Sequence, residues 1–312
     1  MLQKASVPRG AEAFSFCSEE VRCSVQMRRF LSRYWLLFPA LAFYGVFLVY
    51  PMIFSFIVSL YRWDGLSPAK VFIGLRNYVR FFSDPTSLLV LKNNLTWMAF
   101  MLSIPVALGL ILAVILNEKI PGRTFFRAAF YSPAVLPLVA VGIIWSWIYN
   151  PTFGAVNSFF RIIGLPHLAR NWLSDPGVAL YSVILTGIWQ GTGFPMLLFL
   201  AGLQTIPKEL YEAADIDGAT GLQKFFYITI PSLRETFVVV ISLLMIGSLK
   251  VFDLIYVMTW GGPGNFTQVL STWMYFNTFV YHKAGFGSAI AWITAATSLG
   301  VAYPYIRIMS RR

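Results

Sequence analysis

From Trp35 to Leu60 the chain runs 26 residues without a charge. About 20 apolar residues are enough for a helix to cross a bilayer. Five further apolar runs follow, over Leu95–Leu116, Ala128–Ile148, Val178–Leu203, Phe237–Met258 and Ala289–Ile306. Pro39 and Pro51 fall inside the first run, which membrane helices tolerate better than soluble ones. Only 12% of the residues are charged, where a soluble domain carries about a quarter. The chain is expected to be an all-α membrane protein with six transmembrane helices. Tyr61–Asn94, Tyr149–Gly177 and Thr259–Phe286 are then the loops on one side. Residues 1–26 are polar, have no apolar core of the signal-peptide kind and are expected to be a disordered N-terminal extension. Met27, followed by Arg28, Arg29 and Arg33, looks like a natural start. Residues 27–312 are expected to be one six-helix domain.

A net charge of +11 raises the question of nucleic acid, but the cations flank the apolar runs and form no basic face. Taking the N-terminus as inside, fifteen of the 24 Lys and Arg lie in the inner segments and eight in the outer loops, with Lys250 inside a run. The positive-inside bias therefore puts both termini of a multi-pass cell-membrane protein in the cytoplasm. Nucleic acid is not an expected partner; membrane lipid is. Cys17 and Cys23 build no disulfide framework or metal cluster. His167 and His282 are far apart. No Ser/His/Asp set, zinc motif or P-loop occurs. No catalytic residue, metal or cofactor is expected, and the chain is not read as an enzyme.

One long polar interruption, 205–235, is not a mere connection. Pro207 can open a short helix at its first position. Leu210, Ala213 and Ala214 share a face of it, and Asp217-Gly218 signals its stop. Leu222, Phe225, Phe226 and Thr229 repeat the helical spacing before Pro231. Two short helices with small residues at the bend would make a compact knob, with Ala213, Ala214, Gly218 and Ala219 allowing close approach of another backbone. The spacing is E-A-A, three residues, Gly, nine residues, then I-x-I-P: Glu212, Ala213, Ala214, Gly218, Ile228, Ile230 and Pro231. It resembles the EAA loop of permease subunits of ABC importers, with Ile230 where the family usually has Leu. FIGLRNY (Phe72 to Tyr78) is similar to the F-x-G-L-x-N-Y of the maltose-type first permease subunit. KVFDLIYVMTWGGPG (Lys250 to Gly264) is similar to the same family, and the resemblance runs from about Met27 to the C-terminus.

The resemblance implies the ABC type I importer permease fold. It implies a pore-forming subunit that works with a second homologous permease, a dimer of cytoplasmic ATP-binding subunits and an extracytoplasmic solute-binding protein. ATP hydrolysis on the partner would reach the helices through the loop, with Glu212, Ala213, Ala214, Asp217, Gly218, Ala219 and Pro231 at the coupling contact. It also places a sugar solute between the fourth and fifth spans, at Gly187, Gln190, Gly191 and Phe194 with Gly247, Ser248 and Val251. From the residues alone, Gly187-x-x-x-Gly191 fits both close helix packing and solute lining. Lys250 and Asp253, i and i+3 on a helix, can form an ion pair near the outer interface, although charges inside a span are also functional candidates. A self-sufficient ion-coupled transporter is the alternative of another class, with Asp253 as its one intramembrane carboxylate candidate and no internal repeat to support it. A glycerol phosphate permease is the alternative within the family. Only Lys250 is basic near the expected lining, which favours a neutral sugar.

Overall fold

The computed structural model describes residues 37–310. The extension 1–26 lies outside the described residues. The chain divides into two compact units, the first ending at Ile57. The described part of the first unit belongs to helix α1 (Phe38–Ser59). Its side chains are largely exposed, as a single apolar helix meant for lipid or another protein requires. Tyr50 N–H reaches the carbonyl of Gly45, so the helix takes a π turn just ahead of Pro51.

The second unit begins with a two-stranded antiparallel ribbon, β1 (Tyr61–Arg62) against β2 (Val71–Phe72), with Tyr61 opposite Phe72. Helix α2 (Arg76–Ser83) follows. FIGLRNY proves to be the clamp of this region. Asn77 Nδ2 donates to the carbonyls of Ser59 and Tyr61 at 2.7 and 3.0 Å, and the Tyr78 hydroxyl lies 2.7 Å from Ser59 Oγ.

Helix α3 (Pro85–Asn117) is the axis of the unit. Asp84 caps it by accepting from Ser87 N, and Pro85 sits where its missing N–H is not needed. The helix runs 33 residues, about 50 Å at 1.5 Å per residue and well beyond the ~30 Å hydrocarbon layer. The second span therefore starts ten residues earlier than its apolar run, because a capped polar first turn extends it. Three buried clusters form around α3.

The third apolar run is not one straight helix. It forms α4 (Arg123–Val135) and α5 (Leu138–Ile148), bent by 97°. The residue before a proline disfavours the helical region, and Leu136, ahead of Pro137, is extended at φ −70°, ψ 139°. Helix α6 (Ala155–Ile162) lies in the following loop. Helix α7 (Ala179–Leu203) is interrupted at Thr192. Pro195 has no N–H for the carbonyl of Gly191, so the ladder is broken there.

Helices α8 (Lys208–Ile216) and α9 (Gly221–Ser232) make the polar knob, and α9 meets α10 (Arg234–Leu249) at 66°. The fifth apolar run also breaks. Helix α10 ends at Leu249, and α11 (Asp253–Thr259) starts anew after Lys250–Phe252. A continuing helix would give the carbonyl of Ser248 to Phe252 N–H. Instead buried Asn94 Nδ2 donates to it at 3.2 Å. Helix α12 (Leu270–Tyr275) and α13 (Ala284–Ser310) complete the chain. Among the described residues, four helices are long and apolar enough to cross a membrane, and six spans result if each bent pair counts once.

Candidate functional site

Two places bring the expected residues together. The first is a cavity of about 240 Å³ between α3, α7 and the broken end of α10. Gly187, Gln190 and Phe194 line it from α7, Gly247 and Ser248 from α10, and Val251 from the break. Gly191 stands just outside: a Cβ there would lie 3.0 Å from Met101 Cε, and Met101 itself lines the cavity. At Gly187 a Cβ would stand only 2.7 Å from Trp97 Cη2. The two glycines therefore differ, and Gly187 is the one that α3 packs against closely.

The helix break sets the polarity of the cavity. Lys250 and Asp253 both line it, one ending α10 and the other opening α11. The expected Lys250–Asp253 ion pair is absent. The i, i+3 geometry it needed does not exist, because the helix is interrupted between the two residues. Gln190 also lines the cavity, and none of these three side chains hydrogen-bonds or pairs within the described chain. One cation, one anion and one carboxamide thus face a space walled, apart from Ser248, by apolar and aromatic groups. That mixture suits a polar organic solute.

Sequence reasoning missed Trp97 and Met101 from α3, Leu138 from α5 and Phe252 from the break. It placed the start of α3 in a loop. The polar pair Asn93-Asn94 carried the signal, since two buried amides in an apolar helix must serve something. Asn93 Nδ2 donates to the carbonyls of Phe266 and Gln268 at 2.8 and 3.0 Å, and Asn94 Oδ1 accepts from Leu270 N. They hold the segment just after the W-G-G-P-G string. Gly261, at φ +76°, is pressed so closely on the buried side chain of Gln268 that a Cβ has no room there. Trp189 packs edge-on against Trp145 with centroids 5.4 Å apart, and the aromatic lining comes from Trp97, Phe194 and Phe252.

The second place is the knob. Pro207 precedes α8, and the helix stops at Asp217 with Gly218 at φ +72°. A side chain at Gly218 would meet nothing within 4 Å, so the backbone angle alone calls for glycine. Thr220 and Gln223 form a capping box at the start of α9. Lys224 Nζ bonds Asp215 Oδ1 at 2.6 Å, and the Tyr211 hydroxyl lies 2.9 Å from Thr229 Oγ1. Those two contacts fix α8 against α9. Glu212, Ala213, Asp217, Gly218 and Pro231 are exposed, while Ala214 and Ala219 are half-buried. Ile216 is 87% exposed, Tyr227 80% and Leu222 73%. Large apolar side chains on an otherwise polar loop mark a surface that another protein covers. Ile216 and Tyr227 were not singled out in the sequence, because helical spacing does not tell an inward apolar face from an outward one.

The profile of the family described as binding-protein-dependent transport system inner membrane component matches residues 105–311. The probable ABC transporter permease protein YurN of Bacillus subtilis is 38% identical over 270 residues, 86% of this chain and 92% of the relative. The trehalose/maltose transport system permease protein MalF of Thermococcus litoralis is 36% identical over 275 residues, 88% of this chain and 92% of the relative. Among solved structures, a chain of a bacterial ABC transporter involved in the import of the acidic polysaccharide alginate superposes with a TM-score of 0.79. It is 25% identical, with 92% of this chain and 99% of that one covered.

Proposed function

Because the chain belongs to the family of binding-protein-dependent transport system inner membrane components, we propose that it is the permease subunit through which a neutral sugar enters the cell. It has the all-α fold of ABC importer permeases. The observation that carries the sugar reading is the cavity at the α10 break. Its aromatic walls can stack on sugar rings, and Gln190 can hydrogen-bond hydroxyls. Lys250 and Asp253 cancel in charge, which a neutral solute needs and a phosphate ester does not. Relatives named for trehalose and maltose and for multiple sugars support this reading. Family membership sets aside the self-sufficient ion-coupled transporter.

The partners belong to the proposal as well. The chain pairs with a second permease, and a dimer of ATP-binding subunits receives the knob. A solute-binding protein delivers the sugar from outside. A solved neighbour of the same fold is a complex with a pentasaccharide-bound periplasmic protein. Both termini and the knob face the cytoplasm, on the charge bias. At the knob, Glu212 meets a basic group of the ATP-binding subunit, and exposed Ile216, Leu222 and Tyr227 add apolar contact.

Gly191→Leu tests the cavity. It places bulk beside Met101 at the edge of the lining. Uptake of the sugar by the reconstituted complex should be abolished while the ATP-binding subunit still co-purifies. Loss of assembly would instead make Gly191 a packing residue and remove it from the solute path.

A further inference from the structure

A second, larger space of about 590 Å³ opens behind the knob, where the end of α3, the start of α4, the end of α7 and helices α8 and α9 converge. Lys119, Arg123, Lys208 and Lys224 line it against a single carboxylate, Glu118. Asp215 neutralises Lys224. Lys119, Arg123 and Lys208 have no hydrogen-bond or ion partner within the described chain. Arg127, one turn further along α4 than Arg123, donates from Nη2 to the carbonyl of Leu116 at 2.6 Å, while its Nε is buried and unpartnered. Like charges gathered around one space repel each other unless something negative lies between them.

We propose that this crevice holds the phosphate headgroup of an anionic phospholipid at the membrane surface. One feature selects a phosphate. Arg123 and Lys208 are the first residues of α4 and α8, neither of which has a side-chain cap. The positive ends of the two helix dipoles add to the field that favours an anion. Two features select a lipid over a soluble ion. The crevice sits at the ends of α3 and α7, both long enough to span, so its depth is that of headgroups. Ile111 and Ile115, one turn apart on α3, and Phe125 on α4 are about half exposed or more on the two helices whose ends wall the crevice, giving acyl chains an apolar path. Basic pockets between spans recognise lipid headgroups in this way. The inference draws on the transport reading only for the membrane position of these ends.

The test uses the purified complex in phosphatidylcholine vesicles containing phosphatidylglycerol. Lipid retained through detergent extraction is counted by native mass spectrometry for the wild type and for Lys119→Gln/Arg123→Gln/Lys208→Gln. The wild type should keep one phosphatidylglycerol more per copy of this chain, with about a hundredfold higher affinity than the triple variant. A control, Arg62→Gln/Arg80→Gln/Lys283→Gln, neutralises three cations at the opposite loops and should keep that lipid. Equal retention by wild type and triple variant, or equal loss in the control, would overturn the site. Displacement by millimolar inorganic phosphate would make the ligand a soluble anion and overturn the lipid assignment. Lys119→Arg/Lys208→Arg keeps the charge and should restore retention if the triple variant is poorly folded. Retention is read without ATP hydrolysis or uptake, so a failure of the coupling proposal leaves this result standing.

Discussion

Gly187 and Gly191 lie one turn apart on α7 and answer to different neighbours. Gly187 is closed by the Trp97 ring, so Gly187→Ala forces overpacking that costs about 1–3 kcal/mol. The thermal midpoint of the detergent-solubilised chain should fall, and an unchanged midpoint would mean that α3 and α7 are not in this contact. Charge in the cavity is a separate matter. Asp253→Asn leaves Lys250 unbalanced, so an anionic sugar analogue should become a better inhibitor of uptake, by several fold. Lys250→Gln should have the opposite effect. Indifference to both changes would place the solute elsewhere. Glu212 at the knob is exposed and has no partner within the described chain, which is where a contact for another subunit would stand.

At the scale of elements, the breaks matter more than the helices. The α10–α11 break is held by Asn94, whose amide takes the carbonyl of Ser248 and whose oxygen takes Leu270 N. Asn94→Leu keeps the size but strands two buried groups, at about 1–3 kcal/mol each. We expect a lower thermal midpoint and reduced uptake; Asn94→Leu with both at wild-type level would show that the break needs no outside partner. The β1–β2 ribbon offers a contrast in pH. Asp64 Oδ1 accepts from Ser67 N, Leu66 N and Ser67 Oγ, and these bonds hold its carboxyl down to about 2. A depressed carboxylate stabilises the turn fully above its unfolded value near 4 and loses that contribution as pH falls toward 2. Proteolysis of this loop should therefore be unchanged between about pH 5 and 8. A transition in that window would mean that another group governs the turn.

For the whole molecule, much of the membrane plan was legible because an uncharged run has few alternatives. Four of the six apolar runs became single spans and the third a bent pair, while the fifth broke at 250–252 and α10 forms its bent pair with the knob helix α9 instead; six of the seven expected path residues meet in one cavity. The knob was legible because turn chemistry is local: Asp217-Gly218 stops α8 through a backbone angle that nearby residues set. The break at Lys250 was not legible. The donor that holds it, Asn94, lies 154 positions from Ser248 in sequence, and apolar periodicity carries no trace of so distant a donor. The bend at Pro137 was visible as a proline and became a 97° turn only with the structure.

Joining the two places, we propose that motion imposed on the knob by ATP opens and closes the cavity. The ratio of ATP hydrolysed to sugar imported tests it most directly, measured in vesicles with the wild-type complex and with Gly218→Val. Valine strains the left-handed angle at φ +72° and meets no other obstacle, so the membrane helices should insert normally. Sugar import should collapse, and hydrolysis should either lose its stimulation by solute or run on without transport. Wild-type import at the wild-type ratio in Gly218→Val would contradict it.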